Sequence, residues 1–131
     1  MNKRKTIPGI NIQYPISQLI VDGTKTVETR TYPIPLKFVG KPMAIIETPG
    51  INGKFKARVI GVVIFKDCFK YESEIDFYKD KSRHCVDSDS IWAWSAKPKW
   101  GWIISEVTKF KNPIPAPKKK GIQFTKSVKI K

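Results

Sequence analysis

Gly23-Thr24-Lys25-Thr26-Val27-Glu28-Thr29-Arg30 is the stretch from which the rest of the chain can be read. It follows Tyr14-Pro15-Ile16-Ser17-Gln18-Leu19-Ile20-Val21-Asp22, in which Ile16, Leu19 and Ile20 recur at the spacing of one helical face. Pro15 suits a first helical position and Gly23 the residue just past a helix end, so a short helix is predicted between them. Thr26 to Thr29, rich in β-branched residues, then reads as a strand. On a strand Thr26, Glu28 and Arg30 share one face, and Val27 and Thr29 the other. Glu28 and Arg30 would stand about 7 Å apart along it, with Lys25 in the turn before them. An apolar helix thus delivers a lysine, a glutamate and an arginine to one small region. The plainer alternative is a solvated turn lysine beside a structural ion pair.

Outward from this stretch, Ile10-Asn11-Ile12-Gln13 alternates and is predicted as the first strand, with residues 1–8 a basic arm before a single domain over 9–131. Thr31 to Phe38, holding Pro33 and Pro35, reads as a loop, and Pro42 to Thr48 as a strand. Asn52-Gly53 is a hairpin signal. Lys56 to Phe69 is almost continuously apolar, as a strand buried on both faces would be, and Gly61 within it marks a bulge or bend. Ser73 to Tyr78 reads as a short helix with Ser73 as its cap. Lys79 to Ser90 is expected to be loop, Ile91 to Trp94 a short strand, and Lys99 to Phe110 a longer one with Trp100, Trp102 and Ile104 on one face. Lys111 to Lys120 reads as a proline- and lysine-rich connector, and Gly121 to Lys131 as a last strand offering Ile122, Phe124, Val128 and Ile130 for burial. The sum is an α+β domain: a small mixed β-barrel of five or six strands with two short helices. Periodicity alone also permits an OB-like barrel.

The order glycine, lysine, glutamate, arginine at Gly23, Lys25, Glu28 and Arg30 after a helix resembles the motif of the ASCH domain, a PUA-like family. Phe38-Val39-Gly40-Lys41-Pro42-Met43-Ala44-Ile45-Ile46 is similar to the family's step from glycine into a strand. Trp100-Gly101-Trp102-Ile103-Ile104, followed by Phe110 and Pro113-Ile114-Pro115, is similar to its closing strand. The resemblance runs from about Ile10 to Ile122. It implies a PUA-like barrel and a nucleotide pocket, in which Lys25 reaches a phosphate, Glu28 accepts from a base edge and Arg30 binds phosphate or stacks. One branch of the family hydrolyses an N4-acylated cytosine nucleoside with a lysine, a threonine three residues later and a distant glutamate. Lys25 matches the lysine, but Glu28 stands at the threonine position, Thr29 faces away, and the distant acid would fall near Asp87 or Asp89. That departure tells against an amidohydrolase and favours relatives linked to RNA or to transcriptional coactivators.

With 131 residues and 40% of them hydrophobic, the chain can fill one core. There are 25 Lys and Arg against 11 acids, a net charge of +14 that points to a polyanion, nucleic acid first. Twenty-one of the 25 cations are lysine, so a lysine-rich proteome is the alternative source. The signs are segregated: seven of the 11 acids lie from Asp67 to Asp89, whereas Ser90 to Lys131 holds one acid and ten lysines. Lys118, Lys119 and Lys120, with Lys126, Lys129 and Lys131, are predicted to form a basic flank for phosphates. Trp92 and Trp94, two apart, would share a strand face and could stack bases; the alternative is that they fill the core with Trp100 and Trp102. Tyr14 is a further stacking candidate.

His84 is the only histidine, which excludes a two-histidine ribonuclease mechanism. Neither it nor Cys68 and Cys85 has metal-ligand spacing, no phosphate-loop motif occurs, and no cofactor is expected. Two cysteines make no disulfide framework, no apolar run follows the basic N-terminus, and none is long enough to span a membrane; a cytoplasmic protein with reduced thiols is expected. The expected partner is therefore RNA or single-stranded nucleic acid, with a nucleotide or nucleoside as the smaller alternative. A ribonuclease or nucleoside hydrolase of the same fold, with Lys25 and Glu28 catalytic, is the second reading. A protein-interaction module using exposed tryptophan is the third, and its binding would survive high salt.

Overall fold

The computed structural model describes residues 5–116 and 124–130, with side chains from Thr6 to Ala116. Among these residues six strands form one mixed sheet: β1 (Lys5–Gln13), β2 (Val27–Arg30), β3 (Pro42–Thr48), β4 (Arg58–Lys70), β5 (Trp100–Pro115) and β6 (Phe124–Ile130). Their spatial order is β2-β5-β4-β3-β1-β6, and β1 and β3 run parallel while every other pair is antiparallel. The sheet curls strongly. β2 lies four places from β1 in the order, yet Arg30 Nη2 on β2 donates to the Asn11 carbonyl on β1 at 2.8 Å. The result is a curled half-barrel of the α+β class expected.

The interior of the curl is filled by Ile10 and Ile12 from β1, Met43 and Ile45 from β3, Ile60, Val63 and Phe65 from β4, and Trp102 from β5. Ala44, Ile46, Val59 and Ile7 pack on the other side. β3 alternates strictly between the two faces, as a period of two requires. β4 does not: Ile60 points inward and Val62 outward, although two residues apart. The register of β4 slips at Gly61 against β3 and β5, so the expected bulge is real and inverts the alternation there. The inner face then continues through Val63 and Phe65.

α1 (Ile16–Val21) closes one end of the half-barrel with Ile20 and Val21. It is tied to the sheet through Glu47, a fully buried carboxylate that accepts from Ser17 Oγ and Gln18 Nε2 at 2.6 Å each and from Arg58 Nε at 2.8 Å. Burial pushes the Glu47 carboxyl up, but these donors outweigh it and hold the group below its ordinary value. α2 (Glu74–Lys79) begins as predicted, Ser73 Oγ accepting from the Asp76 N–H at 3.1 Å. No helix among the described residues is long and apolar enough to cross a membrane.

Four expectations change. β1 starts at Lys5, not Ile10, because Lys5, Thr6 and Ile7 pair with β6. A third helix, α3 (Lys81–His84), occupies the expected loop from Lys79 to Ser90. Ile91 to Trp94 is a turn rather than a strand: Ser90 Oγ takes the Trp92 N–H, the Ser90 carbonyl that of Ala93, and Tyr78 Oη that of Trp94. β5 continues through the expected connector to Pro115, still paired with β4 at Ile114 and Pro115. Ile122 and Lys118 to Lys120 lie outside the described residues.

Candidate nucleotide cleft

The cleft follows from how the chain leaves α1. Gly23 adopts φ of 85°, the left-handed conformation that ends a helix at little cost to glycine, and its N–H bonds to the Ile20 carbonyl. Asp22 Oδ1 accepts from the Thr24 N–H at 2.9 Å, the Lys25 N–H returns to the Leu19 carbonyl, and the Thr26 N–H bonds to the Arg83 carbonyl. These bonds turn Lys25 inward, where only 2% of it is exposed. Its ammonium donates to the His84 carbonyl, one of the free acceptors at the end of α3. β2 is an edge strand, and across the open side of the curl it faces β1. The space between them is a cleft of about 350 Å³, lined by Asn11, Gln13, Lys25, Glu28, Arg30, Tyr32, Trp92 and Lys99 among others.

The three motif residues meet as expected. Glu28, 6% exposed, accepts from Arg30 at 2.9 and 3.1 Å through Oε2, and its Oε1 stands 3.8 Å from Lys25 Nζ. Arg30 also lies over the Trp102 ring, 5.6 Å from its centre. Burial pulls the Lys25 ammonium below the ordinary lysine range; Glu28 and Cys85 work against that shift and Arg30 adds to it. Thr29, expected to face away, also borders the cleft.

The aromatic candidates divide. Trp92 lines the cleft. Trp94 does not join it, because without a strand the two indoles share no face; it packs on Phe77, 5.6 Å between ring centres. Tyr14 lies edge-on to Phe55 and borders a shallower hollow that shares Gln13, Ile16 and Trp92 with the cleft. Ile51 and Ile91, 97% and 83% exposed, border the same hollow. Asp87 is an exposed partner of Lys81. Cys68 and Cys85 are free thiols.

Lys99, Tyr32 and Asn11 are lining residues that sequence reasoning missed. Lys99 was one of 21 lysines, and nothing local marks it as buried. Only β5, which it precedes, carries it into the cleft wall, where its Nζ donates to the Trp92 carbonyl at 3.0 Å.

A curled mixed sheet is thus closed by a helix that feeds a lysine, a glutamate and an arginine into a cleft beside an edge strand. The fold is that of the ASCH protein from Zymomonas mobilis, with which this chain is 18% identical; the match covers 82% of this chain and 72% of that one at a TM-score of 0.63. A serine-to-alanine variant of the Zymomonas mobilis protein, also 18% identical, matches over 90% of this chain and 85% of its own at a TM-score of 0.67. No family model and no curated protein matches the chain.

Proposed function

We propose that the protein binds RNA, or single-stranded nucleic acid, and takes one nucleotide into the cleft. The observation that carries this reading is a cleft of about 350 Å³, walled by Lys25, Glu28, Arg30 and Trp92, on a chain of net charge +14. A volume at the small end of the range for ligand pockets suits a single nucleoside unit rather than a folded RNA element. Trp92 offers a stacking surface. Glu28 Oε1 retains acceptor capacity for a base amino group, since its approach to Lys25 at 3.8 Å is too long to be a hydrogen bond. The adjoining hollow with Tyr14, Ile51 and Ile91 extends the surface by enough to receive a neighbouring base. Phosphate contacts would supply most of the affinity and the cleft the selectivity.

One observation favours a catalytic version of the same site. A lysine whose ammonium is destabilised by burial, next to a carboxylate in a cleft, is a candidate proton carrier. In that reading Lys25 and Glu28 are the acid–base pair of a ribonuclease or nucleoside hydrolase. The absence of a hydroxyl three residues after Lys25 still tells against an acyl-enzyme route.

A labelled mixed-sequence single-stranded RNA, incubated with and without Mg²⁺ and run against Lys25→Met, separates the two. A salt-sensitive mobility shift without cleavage is expected. Cleavage that Lys25→Met abolishes would make the site catalytic. Neither shift nor cleavage would sink the nucleic-acid reading.

A further inference from the structure

We propose that Lys99, and not the lysine or arginine of the motif, is the phosphate anchor of the cleft, so that its ligand is a phosphorylated nucleotide rather than a bare nucleoside. This rests on the nucleotide reading of the cleft.

The argument is a count of charges and donors. Arg30 places Nε and Nη2 on Glu28 Oε2 and Nη2 again on the Asn11 carbonyl. Its fork is engaged with the protein's own groups, and swinging it to a ligand would strand a buried carboxylate. Lys25 shares the same carboxylate and caps the His84 carbonyl. Lys25, Glu28 and Arg30 therefore form a largely self-satisfied cluster. Lys99 differs. It is 7% exposed, it lines the same cleft, and its hydrogen-bond partner is the neutral carbonyl of Trp92. Among the described residues no carboxylate forms an ion pair with it. An ammonium has three donors and this bond uses one.

A cation buried without a counter-ion is costly unless a ligand completes it. Burial, helped by the nearby Lys97, pulls the Lys99 ammonium below the ordinary lysine range, as expected for a charge awaiting a partner. Phosphate oxygens supply that partner through charge-assisted bonds. The Lys99 backbone is held in place, its carbonyl accepting from the Tyr71 N–H at 2.9 Å, so the ammonium is presented from a fixed wall. Its bond to the Trp92 carbonyl also couples the anchor to the stacking residue. The phosphate can belong to a mononucleotide or to the linkage between two nucleotides of a strand.

Calorimetry with three sets of probes tests this: the four common ribonucleosides, their 5′-monophosphates, and the matching dinucleoside monophosphates, which carry only an internal phosphodiester. Wild-type protein should bind at least one phosphate-bearing set roughly tenfold or more tighter than the nucleosides. The set that gains identifies a terminal or an internal phosphate. Lys99→Gln, which keeps a donor for the Trp92 carbonyl, should erase that preference, and Lys99→Arg should retain it. Lys99→Met provides a second charge-free variant, and melting temperature checks that each variant folds. A phosphate preference that persists in the charge-free variants would overturn the inference while leaving the nucleotide cleft intact. A wild-type protein that binds none of the probes would remove the cleft reading, and the anchor with it.

Discussion

Glu28 is the residue on which the candidate site balances. Two cations lean on one carboxylate that is 6% exposed, so its loss leaves both without their counter-charge in a poorly solvated place. Glu28→Gln is expected to lower stability by about 3 kcal/mol, read as a fall in the urea midpoint with an unchanged slope. His84 gives a second prediction of this kind. Its Nδ1 accepts from the Val86 N–H at 2.9 Å, so Nε2 carries the proton toward the Phe77 carbonyl at 2.6 Å, and the ring stacks on Phe77. Burial first, then Lys25 and Arg83, push its pKa below the ordinary 6.5, against the Phe77 bond and Asp80. Below pH 6.5 the unfolded chain takes up this proton and the folded one does not, so folding stability falls as pH drops from there to the lowered pKa, and is level above. As His84 is the only histidine, the urea midpoint should decline between pH 7 and pH 5 in the wild type and lose that slope in His84→Gln. A slope retained in the variant would show that another group titrates there.

Among the elements, β4 depends most on a single position. A Cβ on Gly61 would run into the backbone carbonyl of Thr108 on β5, which has no flexible end to move aside. Gly61→Ala is therefore expected to cost about 2 kcal/mol or more, and thermal melting would show it as a lowered Tm with the fold retained. That bulge was legible because a glycine within a run of Val, Ile and Phe has few other reasons to be there. α1, β3 and α2 were legible for similar local reasons: a helical apolar spacing ended by Gly23, a β-branched run, and a serine cap before acids. The motif cluster was legible because Lys25, Glu28 and Arg30 lie within six consecutive residues, where spacing alone determines shared faces. What escaped depends on distant partners. The Trp92 and Trp94 alternation imitates a strand, but Ser90 and Tyr78 take its N–H groups in place of a ladder. α3 is four residues long, too short to show a period, and is held by Arg83 on Asp80 and by the buried His84. β5 runs past Pro113 because beyond Ile103 it has β4 as its paired neighbour, and β2 no longer flanks it; sheets tolerate proline where one side is open. Lys99 became visible only once β5 had carried it against Trp92.

For the whole molecule the decisive quantity is where the charge of +14 is used. Asp67 to Asp89 holds seven of the acids, of which Asp80 and Asp87 already hold Arg83 and Lys81. With only Lys70, Lys79, Lys81 and Arg83 against those seven acids the segment carries a net charge of −3, so the uncompensated lysines belong to other parts of the chain. The cleft itself can take few phosphates, since Lys25 and Arg30 are occupied with Glu28. Tight binding to a strand would thus require further lysines, for which the sequence offers Lys118, Lys119 and Lys120. Counter-ion release makes this measurable. If about six lysines meet phosphates, the affinity for single-stranded RNA should fall with salt at a log–log slope of roughly −4 to −5. Replacing Lys118, Lys119 and Lys120 together by glutamine should make the slope shallower by about 2, whereas Lys99→Gln should change it by about one at most. Filter binding across a range of KCl concentrations reads both variants against the wild type. A triple variant with the wild-type slope would place the phosphate contacts elsewhere on the molecule, and a slope near zero in the wild type would mean that the excess charge is not used for nucleic acid at all.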